Sequence, residues 1–537
     1  MQIQQPGPQV PWRSAPFIRF VIPLVAGILV ENNFPLQPGF LLTSLYLTFA
    51  LYILCNTISI TGFFSMAWIS GLVIQLAFFS LGRIIMSVHQ DIRVEQSACY
   101  SKNHSNYLLV KLLSDPVAKK NAYKSIAEIA WLTSNQTCYY ENEKLLVYFS
   151  KKTDPRMITR GSCILIKKSL RPIENYKGSD FDYKKYCRLR HIYSQVFLNE
   201  NEFGLMFQEK EKTISAVLDS LRKKLLLIIK THVRDKLENG FLEALMVGFT
   251  DDLDPALLQS YGDTGVIHII AISGLHLALI CHILQLGLSR LGKKSTAVWI
   301  KFMLMISCLW GYSILSGASP SVIRAAAMFS MVLFAGNIYR VAGLYNTLAA
   351  SAFLLIGFDP YWLWDTGFQL SYAAVLSLGL FSKPVRSLFH LQNKILAIIW
   401  NAVSVSIAAQ ILTTPISIYY FHRFPTYFLI ANLLAVPLSS GILLGGIILC
   451  ISSWIPYAGH FLGWLLGFMI RILNGFIYDI ARLPGAVIPK LALSLNQLIL
   501  VYFIIFCFFR FVQCKEKKWL ITGLAAICIL QLLYPGR

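Results

Sequence analysis

Two histidines and a serine stand close together in a strongly apolar run, in the stretch His268-Ile-Ile-Ala-Ile-Ser-Gly-Leu-His276. An ionisable side chain at membrane depth costs at least a few kcal/mol, so it marks a functional site by default. If residues 266–288 form one helix, Ser273 lies about 60° from His276, and His268 lies about 80° away on the other side. This pattern predicts either the polar wall of a conduit or histidines that are hydrogen-bonded to neighbouring helices.

A second set of polar residues recurs in the later apolar runs. Ser319 and Pro320 suit the cap and the first position of a helix, which puts Arg324 just over one turn inside the next span. A guanidinium suits phosphate, so Arg324 is either an anion contact or an arginine that snorkels or pairs with another helix. The other members of the set are amides, and they are Gln369, Gln410 and Asn432.

Prolines follow two of these amides, at Pro415 and Pro437. A proline inside a span frees backbone groups, which protein or water in a cavity must satisfy. Broken helices of this kind are common where transporters bind cargo, although proline also kinks many other membrane helices. The sequence therefore predicts a polar path through the membrane, and its candidate lining residues are His268, Ser273, His276, Arg324, Gln369, Gln410 and Asn432.

The chain lacks recognisable motifs for ATP binding and for hydrolysis. It has no G-x-x-x-x-G-K-[ST] loop for ATP and no H-x-H-x-D-H or H-E-x-x-H metal motif. No C-x-x-C pair is present, which argues against zinc. Ser273 and His276 would point outward side by side from one helix, and Ser273 lacks the preceding glycine of a G-x-S hydrolase motif. We therefore expect no enzyme activity, no metal and no cofactor.

The elements that must position these residues are mainly membrane helices. Hydrophobic residues make up 55% of the 537 residues and charged residues only 14%, whereas a soluble domain carries about 25% charged residues. The sequence predicts a polytopic α-helical membrane protein with about thirteen spans. The first three spans, in residues 1–90, are 17–30, 40–60 and 63–86. The others, in residues 263–537, are 266–288, 298–315, 322–338, 345–358, 367–381, 395–420, 428–450, 458–480, 497–511 and 519–533.

The charge distribution predicts the orientation. Basic clusters at 290–294, 340, 383–394 and 510–518 fall on one side of the predicted spans, which the positive-inside rule assigns to the cytoplasm. Arg13 and Arg19 flank the first span, so we expect a cytoplasmic N-terminus in a multi-pass protein of the cytoplasmic (inner) membrane. The net charge of +21 fits either a polyanionic partner or this loop topology alone.

Residues 91–210 are predicted to form an extracytoplasmic β domain. Alternating runs begin at Tyr107, Ile126, Lys144 and Cys163, which predicts four or five strands and a small OB-like barrel. Lysine doublets alternate with tyrosines, a mixture that OB barrels use to hold single nucleic-acid strands; an ordinary solvated barrel is the alternative. One or two disulfides are compatible with an oxidising compartment, with the pairing left open among Cys99, Cys138, Cys163 and Cys187.

Residues 211–262 connect the β domain to the second membrane region. Apolar residues recur at helical spacing from Ile214 to Leu237, and basic residues occupy the other faces. The pattern predicts an amphipathic helix over 211–240. Such a helix lies in the membrane interface or packs on the barrel or on the helical bundle.

Several stretches together resemble the ComEC competence family, the inner-membrane channel family for incoming DNA. The signature resemblance is carried by residues 266–276, which include the opening stretch. Other pieces appear in the family's order, and residues 180–186 resemble the end of its extracytoplasmic OB-like domain. The resemblance spans residues 20–480, and its other pieces are Ser316-Gly-Ala-Ser-Pro-Ser-Val-Ile-Arg-Ala325, Asp365-Thr-Gly-Phe-Gln-Leu-Ser-Tyr-Ala373, 410–415 with Phe421-His422, and 432–437.

The resemblance implies that single-stranded DNA enters the cytoplasm through this protein during natural transformation. It implies an extracytoplasmic DNA-receptor protein and a cytoplasmic ATP-driven DNA translocase as partners, beside membrane lipid. Many members of the family carry a C-terminal metallo-β-lactamase-like domain that the sequence to Arg537 does not contain. We therefore expect a separate nuclease to degrade the second strand.

Two other functions fit the same composition. One is a small-molecule or lipid transporter with a regulatory periplasmic barrel. The other is a role independent of transformation, such as the import of DNA as a nutrient or of another polyanion. Salt-dependent binding of single-stranded DNA by isolated residues 91–210 would favour the DNA functions over the transporter.

Overall fold

The computed structural model describes residues 15–60, 67–101, 107–119, 121–134, 137–139, 143–154, 158–175, 182–208, 214–250, 252–270, 272–290, 295–337 and 343–533. These residues belong to two compact units. We call one the sheet unit, which comprises Arg19–Val217 and Ile356–Asp365. We call the other the helical unit, which comprises Met1–Ile18, Leu218–Leu355 and Thr366–Arg537.

The sheet unit begins with three helices in the regions predicted as the first three spans. Helix contacts need small residues where backbones approach closely, and Gly27 and Gly82 serve this purpose. A Cβ on Gly27 would overlap the carbonyl oxygen of Phe79. The predicted residues 63–66 lie outside the described residues. The helices are α1 (Pro16–Asn33), α2 (Pro38–Ile60) and α3 (Ala67–Ser101).

An ion pair fixes the crossing of α1 and α3. The Arg83 guanidinium lies 2.7 Å from the Glu31 carboxylate, and Glu31 is fully buried. The same Arg83 nitrogen, Nη2, donates to the Phe34 carbonyl oxygen at 3.2 Å, and Arg83 Nε donates to Glu31 at 2.8 Å. A buried carboxylate without its partner is strongly destabilising, so this pair constrains how the two helices pack.

Strands follow α3 and form one mixed sheet. The path is β7-β8-β5-β3-β1-β6-β9, and β2 and β4 pair with β3. The runs predicted to be strands from 107, 126, 144 and 163 are confirmed as β1, β3, β5 and β6. The strands are β1 (Tyr107–Leu112), β2 (Val117–Ala118), β3 (Ala122–Ser134), β4 (Thr137–Tyr139), β5 (Lys144–Ser150), β6 (Ser162–Ile166), β7 (Arg171–Pro172), β8 (Ile192–Leu198) and β9 (Phe203–Gln208).

Strands β8 and β9 lie near opposite ends of this path, although they follow each other in the sequence. β8 runs parallel to β5, whereas β9 pairs with β6 in antiparallel fashion. Only residues 199–202, with the 3-10 turn Glu200–Glu202, separate β8 from β9. Alternate residues of β1, including Leu108, Val110 and Leu112, are buried in the core of the domain, as the predicted period of two requires.

The short helix α4 (Tyr183–Arg188) precedes β8 and carries the buried Cys187. The Asp182 carboxylate caps it by accepting a hydrogen bond from the Lys185 N–H. Cys187 is a free thiol, so it forms no disulfide. The side chains of Cys99 and Cys138 lie outside the described residues, and the pairing question stays open for them.

Helices make up most of the helical unit, and a two-stranded pair, β10 (Phe424–Pro425) and β11 (Val487–Ile488), joins two of its loops. The helices are α5 (Ile214–His232), α6 (Lys236–Val247), α7 (Pro255–Asp263), α8 (Ile267–Ile270), α9 (Gly274–Leu288), α10 (Ser295–Leu315), α11 (Pro320–Asn337), α12 (Leu344–Phe358), α13 (Thr366–Arg386), α14 (Lys394–Phe421), α15 (Phe428–Ser452), α16 (Pro456–Ala481), α17 (Leu495–Cys514) and α18 (Lys517–Leu533).

The prediction of one amphipathic helix over 211–240 is wrong. Helix α5 ends at His232, and α6 starts at Lys236 after a break that Asp235 caps. The Asp235 side chain accepts a hydrogen bond from the Leu237 N–H at 2.9 Å, and aspartate at this position favours a new helix start. Residues 211–213 lie outside the described residues. Helix α6 is buried along most of its length and packs against α15 and α16.

Among the described residues, eight helices are long and apolar enough to cross a membrane. Between 11% and 33% of each apolar window is buried inside the protein, so the remaining apolar surface needs a lipid environment. Three shorter apolar helices lie at Gly39–Leu54, Gly274–Leu288 and Leu344–Phe358. The chain is therefore a polytopic helical membrane protein, while the count of thirteen spans stays a prediction.

Candidate functional site

The apolar stretch that carries the two histidines is an interrupted helix. Helix α8 ends at Ile270, and α9 begins at Gly274 after Ser273 in an extended conformation (φ −104°, ψ 166°). Residue 271 lies outside the described residues. The prediction of one helix over 266–288 is wrong, and the helical angle that placed His268 beside His276 fails with it. Serine competes for backbone hydrogen bonds and favours helix starts, which apolar periodicity does not reveal.

Ser273 and His276 form a capping arrangement at the start of α9. The Ser273 N–H donates to His276 Nδ1 at 3.3 Å, and the Ser273 hydroxyl lies 3.3 Å from the same nitrogen. A nitrogen that accepts a hydrogen bond carries no proton, so the proton of the neutral ring is on Nε2. His276 is almost fully buried, with 1% of its surface exposed. The imidazole therefore takes the place that Glu or Gln has in a capping box.

The start of helix α11 holds the interruption from the other side. The Ser321 hydroxyl donates to the Ile272 carbonyl oxygen at 2.9 Å. A Cβ on Gly274 would lie 3.6 Å from the Ala325 Cβ, so α9 and α11 begin against each other. The segment that the sequence singled out at 316–325 thus supports the broken stretch directly.

A tight turn at the end of α6 completes this support. Gly248 has a left-handed conformation (φ +68°), which favours glycine, and a Cβ there would overlap the Ser316 carbonyl oxygen. The Tyr312 hydroxyl donates to the Met246 carbonyl oxygen at 3.1 Å. The end of the buried helix α6 therefore contacts, and helps to position, the loop that leads into α11.

Arg324 lies on α11 and is buried, with 4% of its surface exposed. It is within electrostatic range of Tyr372 on α13. The Tyr372 hydroxyl lies 3.0 Å from the Ser351 hydroxyl of α12. Gln369, half-buried, precedes Tyr372 by three residues and shares its helix face. The structure thus brings Arg324 and Gln369 to adjoining helices.

The other predicted residues differ in their surroundings. His268 is exposed and within electrostatic range of His276. Asn432 is 7% exposed on α15, which packs against α8 and α9, and its Oδ1 has no hydrogen-bond partner among the described residues. Gln410 accepts hydrogen bonds from Thr413 and Thr414 of its own helix, at 3.2 and 3.1 Å. Its amide oxygen is used inside α14 and not at the broken helix.

A charge cluster around the buried Glu243 of α6 was not predicted from the sequence. Lys230 Nζ lies 2.9 Å from the Asp252 carboxylate and 3.5 Å from the fully buried Glu243 carboxylate. Helix α6, with 12 residues, is too short to cross a membrane. Burial raises the pKa of Glu243 to about 7 against the opposing charge of Lys230. The available signal was Glu243, the one charged residue in the apolar run 241–247.

No three histidine, cysteine, aspartate or glutamate side chains within the described ranges are arranged to hold a metal ion. The site instead consists of hydroxyl, imidazole, amide and guanidinium groups around an interrupted backbone. Such groups can bind and orient a polar or anionic cargo, because hydroxyls and amides donate and guanidinium is always charged.

These features define a class: a polytopic α-helical membrane protein with a broken, polar helix start among its spans. The chain belongs to the Competence protein family, whose sequence pattern matches residues 245–515. This confirms the resemblance to the ComEC-type family. The matched residues include α8, α9, the start of α11 and every predicted path residue.

Curated relatives agree with this membership. The chain is 30% identical over 306 residues to ComE operon protein 3 of Bacillus subtilis, covering 56% of this chain and 37% of the relative. It is 27% identical over 242 residues to Recombination protein 2 of Haemophilus influenzae, covering 42% of this chain and 30% of the relative. It is also 27% identical over 227 residues to Uncharacterized protein YcaI of Escherichia coli, covering 41% and 30%.

The alignments thus span less than two fifths of the length of these relatives. No solved structure matches the chain.

Proposed function

We propose that this chain conducts single-stranded DNA across the cytoplasmic membrane during DNA uptake in natural transformation. The observation that carries the proposal is the broken helix at 270–274, which lies inside the region shared with the Competence protein family. Broken helices at membrane depth are tolerated where they line a cavity or a cargo site.

The chemistry around the break supports a passage for an anionic polymer. Arg324 is a permanent positive charge buried in an apolar bundle. Such a charge is costly at membrane depth, which favours a functional role for it. Ser273, His276 and Asn432 add polar groups at or next to the break. Weak, distributed contacts of this kind let a chain enter and leave, which conduction requires.

We further propose that the β domain is OB-like and receives the strand. The order β1-β3-β5 with β8 parallel to β5 and β6 beside β1 supports this assignment. The short link between β8 and β9 supports closure, since these strands pair with β5 and β6. Lysines of the domain, including Lys124 and Lys167 within 6 Å of tyrosine rings, supply the mixture of charge and aromatic surface that single strands favour.

Transport of the DNA strand needs an energy source from a partner, because the chain has no ATP-binding motif. We propose a cytoplasmic ATP-driven translocase that pulls the strand and an extracytoplasmic receptor that delivers it. A separate nuclease would remove the second strand. We propose, from the distribution of basic residues, that the chain lies in the inner membrane with its N-terminus in the cytoplasm.

Deletion of the gene in its host tests the proposal. Two quantities are measured separately: the frequency of transformation and the amount of labelled DNA that reaches the cytoplasm. We expect both to fall to background and to return with the wild-type gene. Normal entry of labelled DNA in the deletion strain would refute the conduit. If the parent strain takes up DNA without being transformed and the deletion abolishes that uptake, the result would indicate import of DNA as a nutrient.

A further inference from the structure

The sheet unit contains an open cavity of about 370 Å³, and none of the predicted path residues lines it. Its size falls at the lower end of the roughly 300–1,000 Å³ found for small-molecule sites. Three cations and two aromatic rings line it together with amide side chains. We call it the aromatic–cationic pocket and define it by Gln90, Lys184, Lys185, Arg188, Tyr361 and Trp364.

The aromatic side of the pocket is held by a hydrogen bond between His191 and Asp359 within the sheet unit. His191 Nε2 lies 2.8 Å from the Asp359 carboxylate, across 168 residues of sequence. The other Asp359 oxygen accepts from the Tyr361 N–H at 2.9 Å and starts the 3-10 turn Pro360–Trp364. Burial acts to raise the pKa of Asp359, but the His191 and Tyr361 hydrogen bonds outweigh it and lower that pKa, which keeps the carboxylate charged.

The two rings of this turn have different exposure. Tyr361 is 5% exposed and packs against His191, with ring centroids 5.8 Å apart. Trp364 is half-buried, and its ring centroid lies 6.2 Å from that of Tyr361. Tyr361 therefore acts as a fixed support, and Trp364 presents the accessible aromatic surface of the pocket.

The cationic side of the pocket lies on α4. Lys184, Lys185 and Arg188 are all exposed, and none of them forms an ion pair with another described residue. The acidic Asp182 also lines the cavity, but its carboxylate accepts from the Lys185 N–H at 2.9 Å and from Asn175 Nδ2 at 3.0 Å. Three cations against this one carboxylate leave an excess of positive charge at the pocket.

We propose that the aromatic–cationic pocket binds one nucleotide unit of single-stranded DNA, with phosphate at the α4 cations and base at Trp364. This proposal rests on the proposed function and identifies a site on the strand's route that lies outside the barrel strands and the broken helix. Bases stack on aromatic rings whatever their sequence, and Lys and Arg track the phosphates. The Gln90 amide can donate to and accept from a base edge.

A lipid headgroup would also meet the cations, but it has no planar ring to stack on Trp364. The combination of a supported aromatic surface, an amide and clustered cations therefore favours a nucleotide over a phospholipid. A free phosphate would use α4 alone and would leave the aromatic side without a role.

Binding of a fluorescent oligothymidylate by the purified full-length protein in neutral detergent tests the pocket. The charge variant is Lys184→Gln with Lys185→Gln, and its matched control is Lys517→Gln with Lys518→Gln, an exposed doublet at the start of α18 in the helical unit. The aromatic variant is Trp364→Leu. Trp364→Leu should weaken binding about 5- to 100-fold, as loss of one base stack does.

The charge variant should also lower the salt dependence of binding. Each lost phosphate contact reduces the slope of log affinity against log salt by about 0.7 for a single strand, so the doublet should reduce it by about 1.4. The control doublet should change neither affinity nor slope. Circular dichroism of each variant checks that the protein is folded.

Three outcomes overturn the proposal. The two lysine doublets could weaken binding equally, which would indicate general charge. Trp364→Leu could bind normally while inorganic polyphosphate competes fully, which would indicate an anion site. Vesicles of phosphatidylglycerol could displace the oligomer only when the α4 lysines are present, which would indicate a lipid site. Each result is separate from the conduit, because the deletion strain tests DNA entry without reference to this pocket.

Discussion

Replacing Gly248 with alanine is expected to destabilise the helical unit and to disturb the broken helix. Gly248 ends α6 in a left-handed conformation, and a Cβ would overlap the Ser316 carbonyl oxygen. The left-handed conformation costs a non-glycine residue about 1–2 kcal/mol. Overlap with backbone adds about 1–3 kcal/mol, because the neighbouring loop must move. We therefore expect Gly248→Ala to cost about 2–5 kcal/mol of unfolding free energy.

Two glycines of the same unit separate these contributions. Gly485 has φ +72° with nothing within 4 Å of an added Cβ, so Gly485→Ala should cost only the conformational part, about 1–2 kcal/mol. Gly475 lies in α16 with ordinary φ and open space. Gly475→Ala should be neutral or should stabilise by up to about 1 kcal/mol, as in other helix interiors.

The assay is thermal unfolding of the purified protein in detergent, followed by tryptophan fluorescence. The midpoints should rank Gly475→Ala highest, Gly485→Ala next and Gly248→Ala lowest. Because Ser316 leads into the helix that holds Ile272 through Ser321, Gly248→Ala should also lower DNA entry at temperatures where the protein is folded. Equal midpoints for the Gly248 and Gly485 variants would refute the close packing of α6 on the Ser316 loop.

Two further predictions concern buried charge. Burial raises the pKa of Glu243 from its ordinary 4.5 to about 7, so the folded protein keeps a proton that the unfolded chain releases between these values, and stability falls as pH rises through this window. Glu243→Gln should therefore raise the unfolding midpoint more at pH 8 than at pH 4.5, and an equal shift at both pH values would contradict the raised pKa. Arg83→Gln leaves the Glu31 carboxylate buried without its ion pair and should cost about 3–5 kcal/mol, measured by thermal unfolding. Adding Glu31→Gln should recover much of that loss, and no recovery would mean that the pair does not set the crossing of α1 and α3.

The sequence predicted the elements whose periodicity is simple. Alternation by two marked β1, β3, β5 and β6, because one face of each strand packs into the domain core. Long apolar runs marked the spanning helices, since lipid selects length and hydropathy. The helix start predicted at Pro320 is confirmed as the first residue of α11, which puts Arg324 in the second turn of that helix.

Breaks within periodic runs were the main failure. Ser273-Gly274 and the residues before Asp235 interrupt helices whose apolar pattern continues on both sides. A helix cap depends on one side chain and one backbone angle. Hydrophobicity averaged over many residues does not detect such a single position. Ser-Gly and Asp signals at these points, weighed as helix starts, would have predicted both interruptions.

The aromatic–cationic pocket could not be predicted from the sequence for a different reason. Its two sides come from α4 and from Pro360–Trp364, and the His191–Asp359 pair that joins them is separated by 168 residues. Each segment alone has an ordinary explanation, as a basic surface helix and as an aromatic loop. Only the fold brings them to one cavity.

The most direct test of the conduit is the entry of labelled single-stranded DNA into the cytoplasm of cells that carry Arg324→Gln. The matched control is Arg386→Gln, an exposed arginine at the end of α13. Both proteins must be present at equal levels in the deletion strain. Loss of a charge-assisted hydrogen bond costs about 1.5–3 kcal/mol, so Arg324→Gln should lower DNA entry about tenfold or more. Cells that carry the control Arg386→Gln should take up DNA at the wild-type level. Normal DNA entry with Arg324→Gln at wild-type protein level would contradict the placement of this arginine on the DNA path.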